Sequence, residues 1–260
     1  MSDASRAPRA AGNPHSFISG TRVIVERELG ACFDSPIAYI YAAVFLVLSC
    51  AIFMNSFFLE SVVDMSAYFE VLPFLLIPFI PAITMRSWAE EHAQGTFELI
   101  STLPLLSMQL VVGKYVAAIL FYVLILCGTF PILFMLIWLG EPDLGLIFSG
   151  YVGAIFLGAF FLSFGLFVSG LTRNQIVAFV LATLAGFAFV LSGYPDVVEV
   201  VDGLVPMWQL GTWVSESLSA LPHFEAFTRG VIGLEHLLYF VLMSAFFIWM
   251  NEITLRRSKF

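Results

Sequence analysis

Six long stretches of this chain contain almost no charged residues, and their length limits what the chain can fold into. They run over about Ile37–Leu59, Tyr68–Met85, Leu110–Leu139, Leu144–Leu171, Ile176–Leu191 and Leu234–Leu255. A helix that crosses a bilayer needs about 20 mostly apolar residues. The stretches are continuously apolar rather than alternating, which excludes a membrane β-barrel. We therefore predict an all-α membrane protein with six transmembrane helices.

The composition agrees with a bilayer environment. Hydrophobic residues make up 60% of the chain and charged residues 12%, and the mean hydropathy is +0.95. Soluble domains are about 45–50% apolar and about 25% charged, so a soluble core could not take up this excess. The net charge of −8 argues against a nucleic-acid partner. The three cysteines show no metal-ligand spacing, and we expect neither a metal site nor a disulfide.

The chain before the first apolar stretch falls into two parts. Residues 1–15 are polar and lack the apolar core of a cleavable signal peptide, so we expect a flexible cytoplasmic tail. Residues 16–34 predict an amphipathic helix that lies along the cytoplasmic membrane surface. Its apolar face follows three- and four-residue steps and consists of Ile18, Val25, Leu29 and Cys32. Residues 35–260 then form one six-span membrane domain.

Basic residues predict the orientation, because Lys and Arg are enriched in cytoplasmic loops. Ten of the 11 basic residues fall on one side of the predicted topology, namely Arg6, Arg9, Arg22, Arg27, Arg86, Lys114, Arg173, Arg256, Arg257 and Lys259. Only Arg229 lies on the other side, among many acidic residues. We assign the basic side, with both termini, to the cytoplasm of a bacterium and the spans to its inner membrane.

The loop between predicted spans two and three, residues 86–107, carries strong local signals. Ser87 with Glu90 makes a capping box, so a short helix should start there. Gly95 permits a left-handed helix exit, and Thr96 can cap a second short helix that ends before the end of the loop.

The same loop is acidic, since it contains Glu90, Glu91 and Glu98 after Arg86. Two interpretations are open. The loop is either an ordinary solvated connection or a rigid, charged element on which a soluble partner docks. In the second case Arg86, Glu90, Glu91, Gly95, Thr96 and Glu98 are the docking residues.

Two spans contain unusual residues. Span two contains Pro73, Pro78 and Pro81, each of which removes a backbone donor, and the resulting kink is either static or a hinge for gating. Span four carries small residues at four-residue spacing, which lets another helix approach closely. These are Gly150, Ala154 and Gly158, and they pack either within the subunit or at a dimer seam.

The connection before span six, residues 192–233, is long. We predict one or two short helices, arranged as a hairpin, in the outer interface, with Trp208 and Trp213 as interfacial anchors. The alternative is that these helices partly re-enter the membrane.

Several motifs resemble those of ABC-2 type transporter permeases. The run Arg86-Ser-Trp-Ala-Glu-Glu-His-Ala-Gln-Gly-Thr-Phe-Glu-Leu is similar to the cytoplasmic motif of that family. Glu28-Leu29, followed by Phe33 and Ser35 to Tyr39, resembles the entry to span one in the gliding-motility-type (GldF-like) branch. His223, Glu225 and Arg229 lie in runs that are similar to the last outer segment of that branch.

This resemblance implies a function. The loop at residues 86–107 would be a cytoplasmic coupling helix, and residues 192–233 an outer periplasmic hairpin. Two permease chains would pair, each with a separate ATPase chain that binds ATP and Mg²⁺ and drives export. This chain itself contains no Gly-x-x-x-x-Gly-Lys-Ser/Thr loop and no catalytic cluster, so we expect it to bind no cofactor and to be no enzyme.

Two other functions remain as alternatives. The chain could transmit ATPase motion to a periplasmic protein without moving a substrate. It could also be an ATP-independent channel or secondary carrier, although such carriers normally place ionisable residues at mid-membrane. Few such residues occur inside the predicted spans.

Overall fold

A computed structural model describes residues 17–60, 64–95, 106–204 and 209–258. Within these ranges the chain forms α-helices and no strand. The first six helices are α1 (Phe17–Asp34), α2 (Pro36–Glu60), α3 (Ser66–Thr84), α4 (Arg86–Gln94), α5 (Ser107–Cys127) and α6 (Phe130–Leu139). The others are α7 (Leu144–Leu171), α8 (Gln175–Leu191), α9 (Pro195–Leu204), α10 (Leu210–Ser217), α11 (Leu221–Thr228) and α12 (Leu234–Ser258).

Five helical runs in the described residues are long and apolar enough to cross a membrane: Pro36–Leu59, Ser66–Gln94, Ser107–Leu139, Leu144–Leu171 and Leu234–Arg256. The predicted fifth span corresponds to α8, which has only 17 residues. At 1.5 Å per residue it is about 25 Å long, a little short of a hydrocarbon core of about 30 Å. It counts as a sixth span only together with α9, to which it is bent by 87°.

The predicted third span is interrupted. Instead of one helix over Leu110–Leu139, α5 ends at Cys127 and α6 begins at Phe130. The cause is Pro131, which has no N–H to donate to the carbonyl of Cys127. At the break the Thr129 hydroxyl donates to the Leu126 carbonyl at 2.7 Å and lies 2.8 Å from the Tyr151 hydroxyl. The interruption is therefore stabilised by polar contacts inside the bundle.

The centre of the bundle consists of α3 and α7. Of the candidate span windows, those in α3 and α7 are 67% and 78% buried, whereas those in α2 and α12 are 17% and 28% buried. Aromatic rings fill the space between α7, α8 and α12, with Phe160 at 5.2 Å from Phe189 and 6.1 Å from Phe247 between ring centroids. The apolar outer faces of α2 and α12 have no partner among the described residues.

The small residues of α7 lie against other helices of the same chain. A Cβ atom at Gly150 would lie 2.4 Å from the ring of Phe69 in α3, and one at Gly158 would lie 2.2 Å from the ring of Tyr122 in α5. The Tyr122 hydroxyl donates to the carbonyl of Ala154 at 3.0 Å. These small residues therefore pack within the subunit, which is one of the two roles that were predicted for them.

Helix α1 has the predicted extent, but its fully buried residues lie beside the predicted face, of which Leu29 and Cys32 are half-buried against the core. Gly20 and Ile24 are its buried residues, whereas Ile18 is 78% exposed. The helix packs along α5 in the same direction, with Gly20 against Gln109, Ile24 against Gly113 and Phe33 beside Phe121. Glycine on both helices allows this close approach. The fit of α1 against α5 at these glycines, and not the position of the largest apolar side chains, therefore determines which face of α1 is most buried.

The described residues of the segment before α12 form three short helices, α9, α10 and α11, where the sequence predicted one or two. The Asp202 carboxylate joins α9 to α10 by accepting from the backbone N–H groups of Gly211 and Thr212 and from the Thr212 hydroxyl. Helix α11 packs back into the bundle, where Phe227 lies against Gly153 of α7. Trp213 is 65% exposed, and Trp208 lies outside the described residues.

Candidate functional site

Helix α4 begins differently from the prediction. The prediction of a capping box formed by Ser87 and Glu90 is wrong, because α4 already starts at Arg86 and its N-cap is Met85. Met85 has helical backbone angles, φ −55° and ψ −30°, and makes no side-chain cap. A capping residue needs an extended backbone, and α3 continues into α4 too directly to provide one at Ser87.

The cap of α4 comes instead from α7. The Ser169 hydroxyl accepts from the backbone N–H groups of Trp88 and Ala89, each at 3.2 Å, and donates to the Met85 carbonyl at 3.0 Å. Backbone donors at a helix start have no partner within the helix. Ser169 therefore satisfies the first turn of α4 and ties this helix to α7.

Lys114 of α5 lies at the centre of a buried charged cluster. Its side chain is 3% exposed, and its Nζ donates to Glu28 Oε1 of α1 at 3.0 Å, to Glu91 Oε1 of α4 at 2.8 Å and to the Ser87 carbonyl at 2.9 Å. An ammonium group has three donors, so all of them are used. The Trp88 ring centroid lies 4.8 Å from the same nitrogen.

Arg27 completes what we call the Lys114 cluster, which consists of Lys114, Glu28, Glu91 and Arg27. Its guanidinium contacts Glu28 and lies 3.6 Å from Glu91. Burial acts to raise the pKa of Glu28, but Lys114 and Arg27 outweigh it and hold that pKa below its ordinary value. Because Glu28 therefore stays ionised at neutral pH, the cluster joins α1, α4 and α5 by full charges.

Glu90 and Glu91 are neighbours in sequence but have different surroundings. Glu91 is 16% exposed and belongs to the Lys114 cluster. Glu90 is 36% exposed, with Arg86 Nε at 3.8 Å from its Oε2 and Gln94 Nε2 donating to it at 3.1 Å. Arg86 Nε also donates to Gln175 Oε1 of α8 at 3.4 Å. Of these two neighbouring carboxylates, only Glu90 is on the open side of α4.

The end of α4 has the predicted geometry. Gly95 is its C-cap and has a left-handed backbone, with φ 70° and ψ 5°. This is the conformation that favours glycine at a helix exit. The predicted second short helix, with Thr96 and Glu98, lies outside the described residues.

The prolines of α3 do not divide that helix. Pro73, Pro78 and Pro81 all lie inside the single helix Ser66–Thr84. Near its end, the Thr84 hydroxyl donates to the Ile80 carbonyl at 3.1 Å. The proposed hinge function of these prolines stays a prediction.

A second polar group, at the opposite end of the bundle, was not found from the sequence. His223 of α11 and His236 of α12 approach each other with their Nδ1 atoms 3.0 Å apart. The His223 ring stacks on Tyr239, with the centroids at 4.0 Å, and the Tyr239 hydroxyl donates to the Leu218 carbonyl at 2.6 Å. Burial, and then His236, lower the pKa of His223. No local spacing pairs these histidines, since the turn between α11 and α12 brings them together.

The other predicted residues of this segment are at the surface. Arg229 and Glu225 form an i,i+4 ion pair of 3.2 Å, with side chains 76% and 46% exposed. Such exposed pairs contribute little to stability. Among the described residues, no three His, Cys, Asp or Glu side chains come together as metal ligands.

Comparisons with known proteins agree with this geometry. A family model described as "ABC-2 family transporter protein" matches residues 57–247, which include α4 and most of the bundle. The chain is 30% identical over 155 residues to the "Probable multidrug ABC transporter permease YbhR" of Escherichia coli strain K12, and equally to that of Escherichia coli O157:H7. The similarity covers 57% of this chain and 38% of each relative.

Proposed function

Because the chain belongs to the ABC-2 family of transporter proteins, a multi-pass family of membrane permeases, we propose that it is driven by a separate ATPase chain through α4. The observation that supports this most is the attachment of α4 to four helices. Ser169 of α7 caps it, Lys114 of α5 and Arg27 of α1 hold Glu91, and Gln175 of α8 accepts from Arg86. ATP and Mg²⁺ would be bound by the ATPase.

These attachments make α4 suitable for transmitting a force. Removing one partner of a buried ion pair costs about 3–5 kcal/mol, so a push on α4 moves its neighbours before it breaks the contacts. The exposed part of the helix is its last turn, Ala93 to Gly95, beside Glu90. We propose that Glu90, Gly95 and the following Thr96 and Glu98 dock on the ATPase, which would present basic residues to them.

The orientation follows from the distribution of charge. Among the described residues, the basic side chains other than Arg229 belong to the α4 end or to the chain segments that reach it: Arg22, Arg27, Arg86, Lys114, Arg173 and Arg256. By the enrichment of basic residues on the cytoplasmic side, we propose that this end and both termini face the cytoplasm. The membrane would be the bacterial inner membrane.

A second permease chain would cover the faces that this chain leaves open. The exposed apolar residues of α2 and α12 include Val47, Phe58, Leu242 and Trp249. We propose that a homodimer or a pair with a related chain buries one of these faces, and that the pair exports a substrate. We also propose the gliding-motility-type branch, which rests on the motifs around Glu28 and His223.

The alternative of force transmission has its own support in α7. This single helix of 28 residues holds the start of α4 through Ser169 and contacts α11 through Gly153. The 16 residues between these two positions span about 24 Å. Motion at α4 would therefore reach the outer helices directly, where a periplasmic protein could bind.

The docking proposal is tested by charge reversal. In proteoliposomes with the ATPase, Glu90→Lys is expected to lower permease-stimulated ATP hydrolysis at least tenfold, because it presents a like charge to a basic surface. The matched control is Glu26→Lys, an exposed glutamate of α1. Full coupling in Glu90→Lys, measured as ATPase rate and co-purified ATPase, would overturn the docking role.

Export and force transmission are separated in the same vesicles. A spin label at the exposed Trp213 position reports motion of α10 during hydrolysis, and uptake of a fluorescent amphipathic dye reports transport. Label motion together with dye accumulation supports export. Two observations together support force transmission: the label moves without transport of any dye, and the interface between the two permease chains stays inaccessible to cross-linkers.

A further inference from the structure

An open cavity of about 580 Å³ lies between α1, α2, α3, α4 and α5. Its size falls within the range of about 300–1,000 Å³ that is typical of small-molecule sites. It lies where α2 begins and α3 ends, so it is at the level of the membrane boundary if these helices cross the bilayer. Most of its wall is apolar and includes Ile37, Ala38, Ile83 and Phe121.

The charged part of the wall has no net charge. It contains three basic and three acidic side chains, Arg27, Arg86, Lys114, Glu28, Glu90 and Glu91. Four of these are the Lys114 cluster, whose members contact one another. The remaining pair, Arg86 and Glu90, is long at 3.8 Å and has side chains 39% and 36% exposed. One guanidinium and one carboxylate are therefore accessible to a bound molecule.

The apolar part continues into the bundle. A narrow hollow of about 10 Å³ shares Tyr41 and Ile83 with the cavity and extends along Phe45, Phe79 and Tyr122. Its outer wall is α2, whose candidate membrane span has only 17% of its apolar window buried. Because α2 has few partners among the described residues, we expect it to be the part of the wall that moves outward when the hollow widens.

We propose that this cavity binds a zwitterionic phospholipid of the phosphatidylethanolamine type. The phosphate pairs with Arg86, and the ammonium pairs with Glu90. The glycerol and the start of one acyl chain lie along Ile83 and Tyr41. A guanidinium matches phosphate geometry, a carboxylate matches an ammonium, and the apolar wall matches the chain. The inference requires only that the chain lies in a membrane, and it concerns the chain without its ATPase, because Glu90 is also the proposed ATPase contact.

The test is native mass spectrometry of the full chain, without ATPase, titrated with lipid in detergent. Dioleoyl phosphatidylethanolamine is expected to bind at one high-affinity site per chain. Arg86→Gln and Glu90→Gln are each expected to weaken this binding about tenfold, the equivalent of about 1.4 kcal/mol. The matched control is Arg22→Gln with Glu26→Gln, an exposed i,i+4 pair on α1, which should leave the affinity unchanged.

Comparison probes decide between this ligand and others. Dioleoyl phosphatidylglycerol and a dodecyltrimethylammonium salt, each carrying only one of the two charges, should bind at least tenfold more weakly. Equal binding of the anionic lipid would overturn the zwitterion assignment in favour of an anion site. Equal binding of the cationic amphiphile would overturn it in favour of a cation site.

A further variant tests the place of binding. Ala38→Trp fills the apolar part of the cavity, and it should abolish high-affinity binding in protein whose melting temperature is retained. Glycerophosphoethanolamine, which has no acyl chains, should not compete. Competition by this headgroup alone, or lipid binding that no cavity variant changes, would overturn the proposal. If Ala38→Trp does not fold, the Arg86 and Glu90 variants decide the question.

Discussion

At the α4 end of the bundle the helices are joined by full charges, whereas at the opposite end, around α11, they are joined by ring contacts and neutral hydrogen bonds. Lys114 holds Glu28 and Glu91 in a site where it is 3% exposed. At the other end His223 meets His236 and stacks on Tyr239. Buried ion pairs are costly to separate, and a histidine changes charge near neutral pH. We therefore expect the ion pairs of the α4 end to keep their geometry, and the histidine contacts of the α11 end to change with pH.

Helix α7 connects the two ends. Ser169 caps α4 near one end of this helix, and Gly153 receives Phe227 of α11 nearer the other. In between, Gly158 fits against the Tyr122 ring. If the contrast between the ends is correct, damage to the α4 end should cost the most stability, damage to α7 less, and changes at the α11 end least.

The largest effect is expected for Lys114→Met. It leaves Glu28 and Glu91 buried without their cation and should destabilise the protein by about 3–5 kcal/mol. Thermal unfolding in detergent measures this. Arg22→Met, which removes a cation that is 78% exposed, should change stability by less than about 0.5 kcal/mol. Similar melting temperatures for the two variants would contradict the role of the cluster.

A smaller effect is expected for Gly158→Ala in α7. The added Cβ would lie 2.2 Å from the Tyr122 ring, and overpacking of this kind costs about 1–3 kcal/mol. Gly30→Ala is the control, because a Cβ there meets nothing within 4 Å. In the middle of α1 it should be neutral or stabilising by about 0.5–1 kcal/mol. Equal tolerance of both changes would show that α5 and α7 are not closely packed.

Ser169→Ala removes the cap of α4, and such a loss costs about 1 kcal/mol. Hydrogen exchange at the backbone amides of Trp88 and Ala89 should accelerate, and ATPase coupling should fall. Ser163→Ala is the matched control, since this buried α7 hydroxyl donates only within its own helix, to Phe160. Unchanged exchange in Ser169→Ala would remove the proposed link between α4 and α7.

The smallest effect is a pH response of the α11 end. The pKa of His223 is lowered in the folded protein from an ordinary value of 6.5, so the unfolded chain binds more protons just below that pH. Stability therefore falls as the pH drops through the ordinary pKa. Hydrogen exchange in α11 should accelerate between about pH 7 and 5. His236→Gln, which removes the neighbouring imidazole, should weaken this response.

The ion pairs of the α4 end should not change over the same pH range. The pKa of Glu28 is held below its ordinary value of 4.5, so its contribution is present above that value and is lost only as the pH falls further. His92 of α4 is an exception, because burial and then Arg173 lower its pKa as well. In a His92→Gln background, exchange in α4 should stay constant from about pH 7 to 5, and acceleration equal to that in α11 would contradict the distinction between the two ends.

Much of the fold was predictable from the sequence, because apolar length and helix breakers act locally. The helical positions of the spans, the separation of α1 from α2 at Ser35 and the left-handed exit at Gly95 were all predicted. The break before Pro131 has an equally local cause and was overlooked. The short α8 was predicted as a full span, because hydropathy does not reveal the 87° bend that follows it.

The candidate site could be predicted only in part. Its location on the Arg86–Gln94 helix followed from composition and motif, but its supporting residues did not. Glu28, Glu91 and Lys114 are 23 to 86 positions apart, and Ser169 lies 81 residues from Trp88. The sequence therefore predicted the same docking role for Glu90 and Glu91, whereas the structure gives the two side chains different surroundings.

By itself, the sequence determined that this chain is an all-helical membrane protein, where its helices lie and that it resembles ABC-2 permeases. Those properties depend on runs of neighbouring residues and on their solvent preference. Only the tertiary structure decided which charges are buried, which serine caps α4, which face of α1 is covered and which histidines meet. Those contacts depend on the packing of distant helices, since a buried charge or an orphan N–H group must find its partner wherever the fold places one.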